Sequence, residues 1–383
     1  MDNMSELLKQ LQQAGSAFLN NYCVVNGVPW PLDKIENMGL SEFAARSIYS
    51  LPVKFYKYYN DLEKEEEDKE GNKRKKNYSI EALESNEVYL SSPADFDDVF
   101  DSEIVVPWSE FESFRLATYA KWSKCSITDD MPMENIRSIL VQRLNDIYES
   151  NGKFEPAFDM NELGELEQGR ITAFILNLQI EIGNRNQLDN AIRNVIVREY
   201  SEFSRGLQQE FRVACFTTTP VSQLMWGGSY ANEHKGFCIE YTVSFDKEYE
   251  DIVHNIRPVV YCKTRRSVTK ALLDAYDKNW NTPALWDLYF NGALRKSIDW
   301  AYQNEWRLLL PPQQYGERGY TKKFFPITKV YLGNRMSAKR RKAIIEICKR
   351  KGIPYTGVTR SPDMFEMQEC ATLCENCSQL NRE

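Results

Sequence analysis

A chain of 383 residues, 42% of them hydrophobic and 13% aromatic, is long and apolar enough to bury a sizeable core, which excludes general disorder. Its formal net charge of -7 argues against a protein whose main task is to coat nucleic acid, because such chains are usually basic. No stretch approaches the roughly 18 consecutive apolar residues of a membrane span, and the first residues lack the apolar segment of a secretory signal. The expectation is a cytoplasmic protein with no membrane partner, its nine scattered cysteines reduced.

Residues 3–20 read as a helix, with Leu7, Leu8, Leu11, Ala14 and Phe18 at helical spacing and Ser5 as its N-cap. A loop with Pro29 and Pro31 and a short helix at about 41–50 complete a helical extension over 1–52. The run Val53 to Tyr59 is rich in strand formers and reads as the first strand of the main fold. Residues 61–77 place an acidic block before a basic one, as a solvated loop or hairpin tip does. A helix at 79–86 and a strand at 88–90 follow. From 109 to 208 the apolar residues recur every three and four positions, which predicts a helical insertion. Strands are expected at 212–217, 237–243, 258–262, 305–310, 327–333 and 354–358, with helices at about 283–297 and 337–351. Short strands between helices of uneven length favour α+β, a short-stranded mixed or antiparallel sheet with a large helical insertion. The core is expected over 53–108 and 209–360, with a tail from 361 to 383.

Four stretches carry candidate chemistry. In Ser91 to Asp101, the carboxylates of Asp95, Asp97, Asp98 and Asp101 crowd within seven residues after a strand. That is either a metal or polar-substrate site, or a turn in which Asp side chains cap backbone N–H groups. Trp226, Tyr230 and His234 are spaced by four and share a face if the segment is helical, with Gly236 closing the helix. That face is either an aromatic shelf for a flat ring or core packing with His234 satisfied by a carbonyl. Glu305 and Arg307 point to one side of the strand 305–310. They form an ion pair at the sheet edge, or a pocket in which Arg307 orients Glu305. Lys57 and Tyr58 lie on the first strand. Two further features read as surface: Cys370, Cys374 and Cys377, whose spacing matches iron–sulfur ligation but which have no evident fourth zinc ligand nearby, and the basic helix 339–351, a candidate phosphate contact.

In chain order, Tyr56-Lys57-Tyr58, Leu90-Ser91-Ser92-Pro93, Phe96-Asp97-Asp98, Phe100-Asp101, Ala214-Cys215-Phe216, Met225-Trp226, Tyr230-Ala231, His234 to Ile239, Trp300 with Glu305-Trp306-Arg307, and Val330 to Gly333 form an ordered set. The set resembles bacterial proteins carrying domain of unknown function 2971 (DUF2971), over about 53–360. Asp97 and Val99 stand where that pattern usually has Asn and Pro, and Gly227–Gly228 where it usually has a larger residue. The layout is similar to the ADP-ribosyltransferase-like fold, and the resemblance implies NAD as co-substrate and no metal. On that basis Glu305, Tyr230 and His234 are expected to be catalytic, and Lys57, Tyr58, Ser92, Trp226 and Arg307 to contact the cofactor. Phe96, Asp97, Asp98 and Asp101 would line the rest of the pocket.

The expected function is an NAD-consuming transferase or glycohydrolase, as an effector of a bacterial toxin or antiviral defence system. Its partners would be a nucleotide-like small molecule, a protein or nucleic-acid acceptor and a partner protein of that system. Two alternatives stand beside it: a metal-dependent nuclease or phosphoesterase using Asp97, Asp98 and Asp101 with Glu305, and a non-catalytic module that binds a nucleotide or a protein.

Overall fold

The computed structural model describes residues 22–25, 28–31, 46–48, 50–67, 73–96, 98, 100–102, 105–158, 160, 164–183, 187–209, 211–263, 267–269, 292–310 and 319–370. The helix expected at 3–20, most of the one expected at 283–297, Asp97, Cys374 and Cys377 lie outside them. The chain divides into two compact units. The first takes the described residues within 1–102, 209–265 and 293–383, and the second those within 103–208 and 266–292.

In the first unit, Tyr22–Val25 (β1) and Val28–Pro31 (β2) pair as an antiparallel hairpin where the sequence suggested a loop in a helical extension. The alternating run Lys54–Tyr59 forms β3. Lys64–Glu67 (β4) and Lys73–Lys76 (β5) are antiparallel, and their register sets Glu65 opposite Lys75 and Glu66 opposite Arg74. Tyr78–Ser85 (α1) is capped by Asn77 and leads into Glu87–Ser91 (β6).

The second unit is carried by four helices, Trp108–Trp122 (α2), Met133–Asn151 (α3), Glu165–Gly183 (α4) and Leu188–Gln209 (α5). Arg115 on α2 bonds Glu199 on α5 at 2.7 Å, and the rings of Tyr119 and Phe174 stack at 3.8 Å.

The first unit resumes with Arg212–Thr217 (β7), the short helix Gln223–Gly227 (α6) and Phe237–Thr242 (β8). Glu250–Asn255 (α7) precedes Ile256–Pro258 (β9) and Val260–Cys262 (β10). Arg295–Ser297 (β11), Glu305–Leu310 (β12), Gly319–Lys323 (β13), Ile327–Leu332 (β14), Ala338–Lys351 (α8), Tyr355–Arg360 (β15) and Met367–Glu369 (β16) follow.

Ten strands form one mixed sheet in the order β13-β6-β7-β3-β8-β14-β15-β16, with β12 on β7 and β9 on β12. Every pairing is antiparallel except β14 with β15, so the architecture is α+β. The sheet forks at β7. That strand pairs with β12 along its whole length, with β6 at Val213 and with β3 at Thr217.

The single strand expected at 258–262 is two, because the chain changes partner at Val259. β9 lies on β12, Val259 donates to the Glu305 carbonyl, and β10 pairs in parallel with β11. Residues 295–297 are therefore strand, where the sequence suggested helix. Within the expected tail, β16 adds to β15, and Cys370 is disulfide-bonded, a departure from the all-reduced reading. Cys125, Cys215, Cys238 and Cys348 are free thiols. Among the described residues no helix is long and apolar enough to cross a membrane.

Alternation along β3 feeds two apolar clusters. Phe55 packs against Phe216, Trp306, Phe324 and Phe325, while Tyr56 and Tyr58 join Met225, Trp226, Cys238 and Tyr331. Gly236 is set by close approach and not by a helix end, since a Cβ there would lie 2.0 Å from the Tyr59 carbonyl oxygen. Backbone cannot retreat as a side chain can. Gly236→Ala is expected to cost roughly 1–3 kcal/mol by overpacking, measured by urea unfolding. A cost near zero would show that β3 and the start of β8 are not held so close.

Candidate functional site

At the fork, the ends of β3 and β7, the start of β12, the α6 segment and the turn before β12 enclose a cavity of about 430 Å³. Its floor is ionic. Glu305 opens β12 and is 5% exposed, and its carboxylate accepts from Arg307 Nε at 2.7 Å and from Lys296 Nζ at 3.0 Å. Both cations also meet buried Asp101, Arg307 at 2.7 Å and Lys296 at 2.9 Å. Arg307 is fully buried and spends further donors on Ser102 Oγ and the Ala293 carbonyl. Two carboxylates and two cations thus form a closed, charge-balanced quartet, the condition under which buried ions are tolerated. The Tyr261 hydroxyl accepts from the Glu305 backbone N–H, which fixes the start of the strand.

Burial alone would raise the Glu305 pKa. Arg307 and Lys296 outweigh it and hold the carboxyl down at about 2, so the group is a permanent carboxylate. Lys296 shows the mirror effect: burial pulls its pKa down, but Glu305 and Asp101 carry it above the ordinary value. The sign for stability follows. A depressed carboxyl contributes stability that is present above its ordinary pKa of 4.5 and lost as pH falls through about 2. Melting of the wild type is expected to fall across that acid window more steeply than melting of Glu305→Gln. Parallel curves would contradict the quartet.

Gln303 ties the floor to the wall. Its Oε1 accepts from Lys296 Nζ at 2.9 Å, and its Nε2 donates to the Tyr230 hydroxyl. Burial raises the Tyr230 phenol above its ordinary pKa, so it stays protonated. Lys57 Nζ donates to the Cys215 carbonyl at 3.0 Å and lies 5.4 Å from the Phe216 ring centre. Burial lowers its pKa, against the pull of Cys215 and Glu305. Phe96, Trp300 and Tyr302 supply aromatic wall, and Asp95 and Asp98 acidic groups.

Of the residues singled out in the sequence, Lys57, Tyr58, Asp95, Phe96, Asp98, Asp101, Tyr230 and Glu305 line this one cavity. Tyr58 spends its hydroxyl on the Thr219 carbonyl at 3.1 Å, and Asp98 caps the Phe100 N–H at 3.0 Å. Ser92 is buried and caps Ala94, away from the cavity lining. Arg307 touches no cavity space and orients Glu305 from behind; β12 lies between β7 and β9, not at a sheet edge.

The shared face of Trp226, Tyr230 and His234 does not form. α6 stops at Gly227, Ser229–Ala231 is a 3-10 turn, and Asn232, Glu233 and His234 all take positive φ. Trp226 is buried and donates to the Pro220 carbonyl at 2.7 Å, Tyr230 reaches the cavity, and His234 lines a separate hollow. Lys296, Gln303 and Cys215 were not singled out. Cys215 stands in the Ala214-Cys215-Phe216 stretch, but no spacing rule links Lys296 or Gln303 to Glu305 across an irregular turn.

No curated protein and no solved structure matches the chain. A family model described as protein of unknown function (DUF2971) matches residues 225–308, from the helix that carries Trp226 to the strand that carries Glu305 and Arg307. The chain therefore carries DUF2971 sequence across the segment that supplies Tyr230, Lys296, Gln303 and Glu305 to the cavity.

Proposed function

We propose that the cavity consumes NAD, breaking the bond between nicotinamide and ribose and passing the ribosyl group to water or to an acceptor. The observation that carries this reading is Glu305, a carboxylate fixed from two sides at the floor of an aromatic-walled cavity. Cleavage of that bond develops positive charge on the ribose. A preorganised carboxylate facing the charge, in a site of low dielectric, lowers the barrier without reorganising. The departing ring is a flat cation before cleavage, and such rings favour aromatic faces and nearby carboxylates, here Phe96, Trp300, Tyr302, Asp95 and Asp98. The volume suits a nucleoside-sized portion of a ligand.

Because Glu305 is ionised throughout, its part is charge stabilisation and acceptance of a ribose hydroxyl hydrogen bond, not proton donation. Lys57 and Tyr230 carry the donors of the cavity. The metal-dependent alternative is disfavoured by charge, since a divalent ion near Asp101 and Glu305 would add to two cations already bound to them. A cytoplasmic toxin or antiviral-defence setting, with a protein or nucleic-acid acceptor, belongs to the same proposal and rests on the resemblance alone.

Chromatography of NAD incubated with the full chain is expected to show nicotinamide. Its kcat/KM profile should carry no acid limb near the ordinary carboxyl value of 4.5 from Glu305, because that group titrates at about 2. A limb near 4.5 that disappears in Glu305→Gln would contradict the assignment.

A further inference from the structure

We propose that the hollow beside His234 is a second binding site, taking a phosphate group next to a flat ring, as a nucleotide presents them. The hollow, of about 620 Å³, is lined by Gln223, His234 and the turn between β15 and β16. It lies by the same short helix as the Glu305 cavity, for Gln223 lines this hollow while Leu224 and Met225 line the other. The proposal does not depend on NAD being consumed there.

Two basic side chains, His234 and Arg360, line it, and Arg335 adds positive charge beside the imidazole. Arg360, at the end of β15, shares the lining with His234, and Arg335 is tied to the same place because its N–H donates to the His234 carbonyl at 3.0 Å. Among the described residues neither guanidinium has an ion pair within 4.0 Å, so both keep bidentate donor pairs for an oxyanion. The imidazole lies parallel to Trp226, at 7° and 6.4 Å, and its Nδ1 is buried without a hydrogen-bond partner. Burial pushes its pKa down, and Arg335 and Arg360 add to the fall.

The turn adds apolar surface where a solvated turn would be polar. Phe365 is 98% exposed and Met364 59%. An exposed ring beside paired arginines is the arrangement that stacks a base while its phosphate is held. Asp363 and Glu366 also line the hollow, but both are exposed and make no ion pair with either arginine among the described residues, so solvent screens their repulsion of an oxyanion.

The test is fluorescence anisotropy of the full chain with a labelled single-stranded oligonucleotide, with AMP as competitor, at low salt. Arg335→Glu/Arg360→Glu is expected to weaken binding at least about 10-fold, and Phe365→Ala roughly 5- to 100-fold. All three positions are exposed, so the variants should melt as the wild type does. Displacement by AMP assigns a mononucleotide site, and binding that AMP does not displace assigns the phosphates and bases of a nucleic acid. Absence of oligonucleotide binding, or equal binding by the wild type and both variants, overturns the proposal.

Discussion

Arg307→Ala is expected to remove roughly 3–5 kcal/mol of folding free energy, the range for deleting one partner of a buried ion pair. The side chain is fully buried and holds both Asp101 and Glu305 at 2.7 Å. Without it, two buried carboxylates share Lys296 alone, and Ser102 and the Ala293 carbonyl each lose a donor. The midpoint of urea unfolding should fall sharply. Arg307→Lys should recover little, since one ammonium cannot reproduce a planar fork that reaches four groups. A loss below about 1 kcal/mol in the alanine variant would mean that the quartet adds nothing over solvated charges.

Glu305→Gln should lower the turnover of NAD by about 10²–10³ while leaving binding largely intact, the cost of removing one preorganised electrostatic partner of a transition state. Glutamine keeps the shape and loses the charge. A purely structural Glu305 would predict a different pattern, with binding and turnover failing together as the fold loosens. The discriminating pair of readings is therefore the thermal shift produced by NAD and the rate of nicotinamide release. Retained shift with lost release supports the assignment, and retained release removes Glu305 from it.

Much of the frame was legible in the sequence because short apolar runs announce themselves. Residues 212–217 and 305–310 are strands at those bounds, and alternation alone put Glu305 and Arg307 on one side of β12. The failures have local causes. The 226–234 segment has helical spacing, but Gly227–Gly228 interrupts it and three successive left-handed residues turn the chain away, so spacing of four no longer means one face. Arg307 was expected at the cofactor and instead lies behind Glu305, because a strand face reveals a side and not whether that side is open. The fork of the sheet at β7, and with it the cavity, depends on pairings of Thr217 and Val213 with distant strands, which no local pattern encodes. Lys296 and Gln303 reach Glu305 only through the turn 298–303, and polar residues in a turn look the same whether they face solvent or a buried carboxylate.

The most direct measurement is release of nicotinamide from NAD by the purified full chain in the presence of EDTA, with and without candidate protein and nucleic-acid acceptors. Release that persists in EDTA and falls in Glu305→Gln is the predicted result. Intact NAD under every condition, or a chelator-sensitive cleavage of phosphodiesters in its place, would contradict the reading of this cavity as an NAD site.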